Sequence, residues 1–314
     1  MTVSPVSVLS PLVTRILGCN PGKFTLDGTN TYLVGRGRRK LLIDTGDGVP
    51  EYHSALLDYL HQNNVELSAI LLTHWHPDHI GGVAQILDDL KPANIPIYKA
   101  PSTESTGPNA LAPTLPNSTP LSPLATWVCQ PIQDGQIFGQ EEGVKLQGFY
   151  TPGHADDHFV FYLHDEDALF SGDNILGRGT AVFTDLKVYL SSLDRTVDLF
   201  GSKLKLIYPG HGPTTGSQGE NQECSALEKI NQYISHRLQR EDEILTLMKE
   251  RSIEGMGSTS KEIVEVIYKH YPSNIWYAAE MGINLHLKKL ADDGKAYQKS
   301  NTWYLTEAYL SGKL

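Results

Sequence analysis

Within seven residues, Thr73-His74-Trp75-His76-Pro77-Asp78-His79, the chain places three imidazoles and one carboxylate, four side chains able to bind a metal. That density exceeds what packing or a solvated polar loop requires. Neutral imidazole suits zinc, nickel, copper or iron, and a single carboxylate among nitrogens favours zinc or iron over magnesium or calcium. The apolar run at 67–72 reads as the strand that delivers the cluster. An extended chain puts alternate side chains on one face. His74, His76 and Asp78 are therefore expected to converge from a strand end, with His79 approaching from the other side as a helix begins. Pro77 supports this arrangement, because the residue before a proline is pushed into extended conformations. Gly81-Gly82 are expected to let the backbone turn tightly under the site, ahead of a helix at 82–90. Such a cluster can hold two cations.

Three further apolar strands run into a Gly-flanked His or Asp. The strand at 144–150 leads to Thr151-Pro152-Gly153-His154-Ala155-Asp156-Asp157-His158, the strand at 168–170 to Ser171-Gly172-Asp173-Asn174, and that at 207–208 to Pro209-Gly210-His211-Gly212. Ligands on glycine-rich turns at strand ends can be held rigidly while backbone and substrate come close. Asp44, after the strand at 40–43, is either a turn former or a group that orients a metal-bound histidine. His53, His61, His164, His236, His270 and His286 lack such a setting and read as surface or structural residues.

Strands at 13–17, 31–34 and 40–43 open the chain, the last two forming a hairpin around the solvated basic turn at 35–40. A helix at 51–62, with Leu56, Leu57 and Leu60 at helical intervals, precedes the strand that carries the cluster. Another strand follows at 95–98, so layered α/β is the expected architecture. The segment 101–131 is rich in Pro, Ser and Thr, charged only at Glu104, and too long for a connector. It is either a disordered insertion or part of the substrate wall, with Leu121, Leu124, Trp127 and Val128 as apolar anchors. From 221 onward the period is helical, with Ile230, Ile234, Leu238, Ile244, Leu245 and Leu247 on one stripe. Helices at 261–268 and 283–290 precede a small hairpin at 296–305. Two domains are predicted: residues 1–217, catalytic, and 218–314, a helical winged-helix-like module. The second has 12 Lys/Arg against 14 Asp/Glu, without the basic balance of a DNA-reading face. Closing the active site, or packing against another subunit in a homo-oligomer, is the preferred role.

A chain of 314 residues is long enough for more than one domain. No apolar run approaches the roughly 20 residues that span a bilayer, and the start lacks the features of a secretory signal, so no membrane partner is expected. Cys19, Cys129 and Cys224 are far apart and show no CxxC spacing, which suits a reducing, cytoplasmic setting. A net charge of −10 opposes nonspecific capture of nucleic acid.

With these positions assembled, the sequence resembles the metallo-β-lactamase superfamily of dinuclear hydrolases over residues 10–215, through HxHxDH followed by the later His, Asp and His. The resemblance implies an α/β fold, an αββα sandwich. It implies that His74, His76 and His154 bind one metal and Asp78, His79 and His211 the other, with Asp173 bridging. Asp44 and His158 would support these ligands from behind, and Asp78 would be catalytic as well as a ligand. The implied cofactors are two Zn2+ ions, with Mn2+ or Fe2+ as alternatives. Residues 20–32, 151–158 and 232–237 look like the lactamase-like protein 2 group. That group includes fungal thiohydrolases that release polyketides from an acyl carrier protein, and an animal mitochondrial endoribonuclease acting on single strands. The preferred reading is an acyl-thioester hydrolase whose partner is the acyl carrier protein of a polyketide synthase or a small acyl thioester. The alternative is a ribonuclease on single-stranded RNA, with the mitochondrial matrix as its setting. In that case the leaving alkoxide needs an acid or a metal, a role open to His158.

Overall fold

The computed structural model describes residues 4–91, 94–102 and 127–313. Most of the 101–131 segment, Leu121 and Leu124 included, lies outside the described residues. The chain divides into two compact units, residues 1–183 with 192–230, and residues 184–191 with 231–314.

The first unit holds two sheets. β1 (Val6–Val8), β2 (Val13–Leu17), β3 (Asn30–Val34), β4 (Arg39–Ile43), β5 (Glu66–Leu71), β6 (Ile97–Tyr98) and β7 (Cys129–Gln130) lie side by side in that order. The second sheet contains β8 (Ile137–Phe138), β9 (Leu146–Tyr150), β10 (Phe159–Leu163), β11 (Ala168–Gly172), β12 (Leu206–Pro209) and β13 (Thr215–Gly216), ordered from β13 at one edge to β8 at the other. β2, β3, β10 and β11 are buried along their whole length, as strands covered on both faces must be. Alternation then decides which core each residue joins. Tyr32, Val34, Leu41, Ile43 and Leu71 meet Leu146, Phe159, Phe161 and Phe170 between the sheets. Leu33, Leu42 and Ile70 point the other way, onto Tyr52, Leu56 and Leu60 of α1 (Pro50–Gln62), Ile80 of α2 (Pro77–Ile80), and Val83 and Ile86 of α3 (Val83–Asp89). On the outer face of the second sheet, Phe200 of α4 (Leu186–Phe200) stacks on Tyr162, centroids 4.3 Å apart, and meets Phe149 edge-on. The order is helix, sheet, sheet, helix.

The second unit packs Ile244, Leu245 and Met248 of α5 (Ala226–Ile253) with Ile263 and Val264 of α6 (Ser260–Ile267) and Ile283, Leu287 and Leu290 of α7 (Trp276–Asp292). A hairpin of β14 (Ala296–Lys299) and β15 (Thr302–Leu305) adds Ala296, Trp303 and Leu305, and a short α8 (Glu307–Leu310) follows. Thr259 and Glu262 form a capping box at the start of α6. One expectation fails here: Leu238 is 48% exposed, while Arg237 and Glu241 take buried positions. Glu241 binds Lys289 at 2.6 Å and Lys295 at 3.2 Å; a stripe read from apolar residues alone misses a carboxylate buried with its partners. Among the described residues no helix is long and apolar enough to cross a membrane.

The pairs β4/β5 and β11/β12 are parallel, so each sheet sends two neighbouring strands out at the same edge. Cohesion of the sheets rests on the layer between them, where Phe161 is fully buried. Phe161→Ala should cost about 3–5 kcal/mol, the usual range for emptying an aromatic site. Urea unfolding of the purified chain measures it; a loss below about 1 kcal/mol would mean that the interlayer core is not as described.

Candidate metal centre

The expected site residues project from strand ends or the turns just after them, except Asp78 and His79, which lie on a short helix. Asp44 ends β4, the 73–79 stretch follows β5, His154 follows β9, Asp173 follows β11 and His211 follows β12. His76 is extended (φ −59°, ψ 143°), as the residue before Pro77 must be. Pro77 then opens α2, a first-turn position for which its fixed φ is suited. Asp78 therefore reaches the cluster from a helix beside His79, and does not alternate with His74 and His76 on an extended chain as expected. Gly81 (φ −61°) and Gly82 (φ −80°) likewise use ordinary helical backbone. Glycine at 82 is required by space: a Cβ there would overlap the Thr45 carbonyl oxygen.

Two ligand groups come together, His74, His76, His154 and Asp173 in one and Asp78, His79 and His211 in the other, with the ligand atoms of each group within 4.8 Å of one another. His74 Nε2, His76 Nδ1 and His154 Nε2 form a triangle with sides of 3.0, 3.1 and 3.2 Å. His154 Nδ1 donates to the Val182 carbonyl at 2.8 Å, which leaves its Nε2 as a bare lone pair facing the triangle. Facing lone pairs at such distances repel unless a proton on His76 Nδ1 or a cation lies among them. The edges approach the roughly 3.3 Å expected between nitrogens bound tetrahedrally at about 2.0–2.1 Å. In the second group, Asp78 Oδ2 lies 3.4 Å from His79 Nε2 and 3.2 Å from His211 Nε2. Asp173 stands between the groups, Oδ1 at 3.4 Å from His79 Nε2, Oδ2 at 3.3 Å from His211 Nε2 and 3.8 Å from His154 Nε2. His79 Nε2 and Asp173 Oδ1 are buried without a hydrogen bond. These donors fit a pair of transition-metal ions.

Electrostatics separates the two groups. Burial, reinforced by neighbouring imidazoles, lowers His74 well below its ordinary value and takes His76 down to about 3. Burial also lowers His154. These three offer neutral nitrogen. Burial acts the same way on His79 and His211, but carboxylates outweigh it: Asp78, Asp173 and Asp44 raise His79 well above its ordinary value, and Asp173 and Asp78 raise His211 to about 9. Asp78 and Asp173 are in turn held below the usual carboxylate range by those imidazoles, against the effect of burial. The acidic side of the cluster therefore calls for positive charge.

Behind the ligands run two relays. Asp44, buried and in the left-handed region (φ 58°), accepts from the Thr73 amide at 2.8 Å, the Thr73 hydroxyl at 2.9 Å and His79 Nδ1 at 2.7 Å. With its hydroxyl proton on Asp44, Thr73 Oγ1 accepts from His74 Nδ1 at 2.9 Å. One carboxylate thus orients both His74 and His79 with Nε2 facing inward. The second relay was not foreseen as part of the site. Asn20 donates to Thr29 Oγ1 at 3.1 Å, and Thr29 donates to Asp78 Oδ2 at 2.9 Å. Asn30 holds the His211 turn by donating to the carbonyls of Pro209 and Gly212 at 2.9 and 2.8 Å. Asn20, Thr29 and Asn30 lie in the stretch singled out for resemblance alone; their types suggest turns. Their partners are 179 and 182 residues away for Asn30 and 49 for Thr29. His158 is buried, its Nδ1 against Thr151 Oγ1 at 3.1 Å and its Nε2 accepting from the Asp173 amide at 3.2 Å. With both nitrogens engaged it positions Asp173. Gly210 is required beside that carboxylate, because a Cβ would overlap Asp173 Oδ1.

Asp44→Asn should weaken metal binding about 10- to 100-fold, the usual effect of losing an outer-shell partner. An amide nitrogen in place of Oδ2 donates to His79 Nδ1 and moves the ring proton to Nε2, into the site. Competition with a chromophoric chelator measures the affinity; an unchanged affinity would remove Asp44 from the relay.

Comparisons with known proteins place the chain in a family. Residues 24–218 match the metallo-beta-lactamase superfamily, and residues 259–303 the beta-lactamase associated winged helix domain. The chain is 42% identical over 295 residues to the beta-lactamase-like protein 2 homolog of Drosophila melanogaster, covering 93% of this chain and 92% of that one. It is 37% identical over 300 residues to the atrochrysone carboxyl ACP thioesterase of Aspergillus novofumigatus, covering 92% of this chain and 81% of that one. In fold it is similar to a beta-lactamase domain protein from Burkholderia ambifaria, with a TM-score of 0.73 at 17% identity over 96% of this chain and 93% of that one. A metallo-beta-lactamase family protein from Thermus thermophilus gives a TM-score of 0.67 at 21% identity over 95% of this chain and all of that one. By sequence across nearly its whole length, and by the geometry that sequence builds, the chain belongs to the metallo-β-lactamase superfamily of hydrolases.

Proposed function

We propose that this hydrolase cleaves acyl thioesters, releasing a polyketide from an acyl carrier protein, with two zinc ions as its cofactors and manganese or iron(II) as alternatives. His74, His76 and His154 would hold one ion and Asp78, His79 and His211 the other, with Asp173 available to both. The observation that carries the thioester reading is the 37% identity, over 92% of the chain, to a protein named for that activity. Such an ion pair supplies a polarised electrophile and a water activated near neutral pH. The chain's own groups do the rest. Asp78, fixed by Thr29, is the carboxylate we assign to take a proton.

Two features favour a thioester over a phosphodiester. A thiolate leaves without being protonated, whereas an alkoxide needs an acid, and His158, the imidazole considered for that task, has both nitrogens committed. In the second unit Lys187, Lys288, Lys289, Lys295, Arg240 and Arg251 each lie in an ion pair, which leaves them less available to a phosphate backbone.

Elemental analysis of freshly purified protein should find two transition-metal ions per chain; stray metal only would sink the reading. His76→Ala and Asp78→Ala should abolish turnover with the circular dichroism spectrum retained, because both layers of core stand without the cluster. Loss of secondary structure on chelation would instead mark a structural site. The substrate class is tested by turnover of a small uncharged aryl thioester and of single-stranded RNA from about 50 to 500 mM salt, a range that exposes counterion release. Thioester cleavage nearly indifferent to salt is expected. Salt-sensitive RNA cleavage lost with His76→Ala, without thioesterase activity, would assign the ribonuclease function.

A further inference from the structure

Lys99 and Asp157 form an ion pair whose side chains are 2% and 0% exposed, and nothing in the proposed chemistry uses it. Burying two charges is costly, and well-packed apolar residues in place of such a pair are often at least as stable. Stability is therefore a poor reason for its presence, and its geometry suggests another. Lys99 follows β6, with Nζ also donating to the Ala100 carbonyl at 2.8 Å. Asp157 lies in the turn between β9 and β10, three residues after His154. Its Oδ1 accepts at 3.3 Å from the amide of Trp75, the residue between His74 and His76. Next to it, Ser102 donates to Asp156 at 2.5 Å, so the chain leaving β6 is tied twice to the turn that carries His154.

We propose that the Lys99–Asp157 pair positions the three-histidine ligand set: its carboxylate ties the His74-Trp75-His76 turn to the His154 turn, and its ammonium anchors that carboxylate from β6. This rests on the two-ion reading above. The contacts described for the other set take a different route. Asp78 is held by Thr29, His79 by Asp44 and the His211 turn by Asn30; His74 alone is supported from both sides, through Thr73 as well. Burial lifts Asp157 to about 6, and Lys99 opposes the rise. The ammonium thus helps keep ionised an acceptor that is stronger in that form.

The test uses two double variants of the full chain. Lys99→Met with Asp157→Asn removes both charges and keeps an oxygen for the Trp75 amide. Lys99→Met with Asp157→Leu removes that oxygen too, and Asp157→Ala replaces the Leu should it not fold. Each protein is loaded with zinc and dialysed against graded chelator; zinc per chain and the melting temperature of the metal-free protein are read. The Asn pair is expected to keep two ions near wild-type affinity. The Leu or Ala pair is expected to keep one and to bind the other at least about tenfold more weakly, the lower end for an outer-shell loss, with its metal-free melting temperature matching the Asn pair. Wild type holding two ions while every variant binds both equally well overturns the inference alone. So does loss of both ions together with a lower metal-free melting temperature, which marks a merely structural pair. Fewer than two ions in wild type overturns the two-ion reading and the inference with it.

Discussion

Bare lone pairs and ionised carboxylates, brought within hydrogen-bonding distance of one another where little water can screen them, set the constraint that the rest of this structure answers. In the triangle of His74, His76 and His154, the outer proton that Val182 fixes leaves His154 Nε2 as an inward acceptor and Thr73 does the same for His74, so a proton on His76 Nδ1 or a cation must face them. Much of the cluster is gripped from outside: Asp44 through Thr73 and His79, Asn20 through Thr29, and His158 at the Asp173 amide. The strained left-handed backbone of Asp44 is part of that grip, a local cost that persists only where the surroundings over-determine it.

The scaffold makes this concentration of charge tolerable. Strands buried on both faces supply two separate apolar layers, one between the sheets and one beneath the helices, so cohesion does not depend on the polar edge. Parallel neighbours in both sheets then end together, and ligands reach the edge from backbone that packing has already fixed. The carboxyl ends of parallel strands are where open α/β sheets generally bind ligands, and here two sheets contribute to one cluster.

Much of this was legible in the sequence, for different reasons in different places. The cluster could be found because it sets rare residue types at short spacing, and 74–79 shows that spacing openly. Strands such as 13–17 and 40–43 were legible from apolar runs between turn residues. The supports were not, because Asn20, Thr29, Asn30, Lys99 and Asp157 are ordinary turn or surface types until the fold sets their partners beside them. The local geometry of Asp78 is hidden for a subtler reason: Pro77 both extends the residue before it and starts a helix after it, and alternation along an extended chain reflects only the first effect. Leu238 and Glu241 show the same limit, since apolarity does not mark a carboxylate that is buried with its lysines.

The clasp of Asn30 on the Pro209 and Gly212 carbonyls spans 179 and 182 residues, and this distance governs the order in which the protein can be made. A chain emerging from the ribosome presents His74, His76, Asp78 and His79 well before His154, Asp173 and His211 have been synthesised. Contacts of such sequence separation form slowly, because the entropy of closing the loop must be met before the contact rewards it. The nascent chain therefore passes through a period in which four of the seven clustered side chains are present and the edge of the first sheet is bare. Completion of the second sheet ends that period, so translation of β12 and the turn after it decides when the cluster can first close.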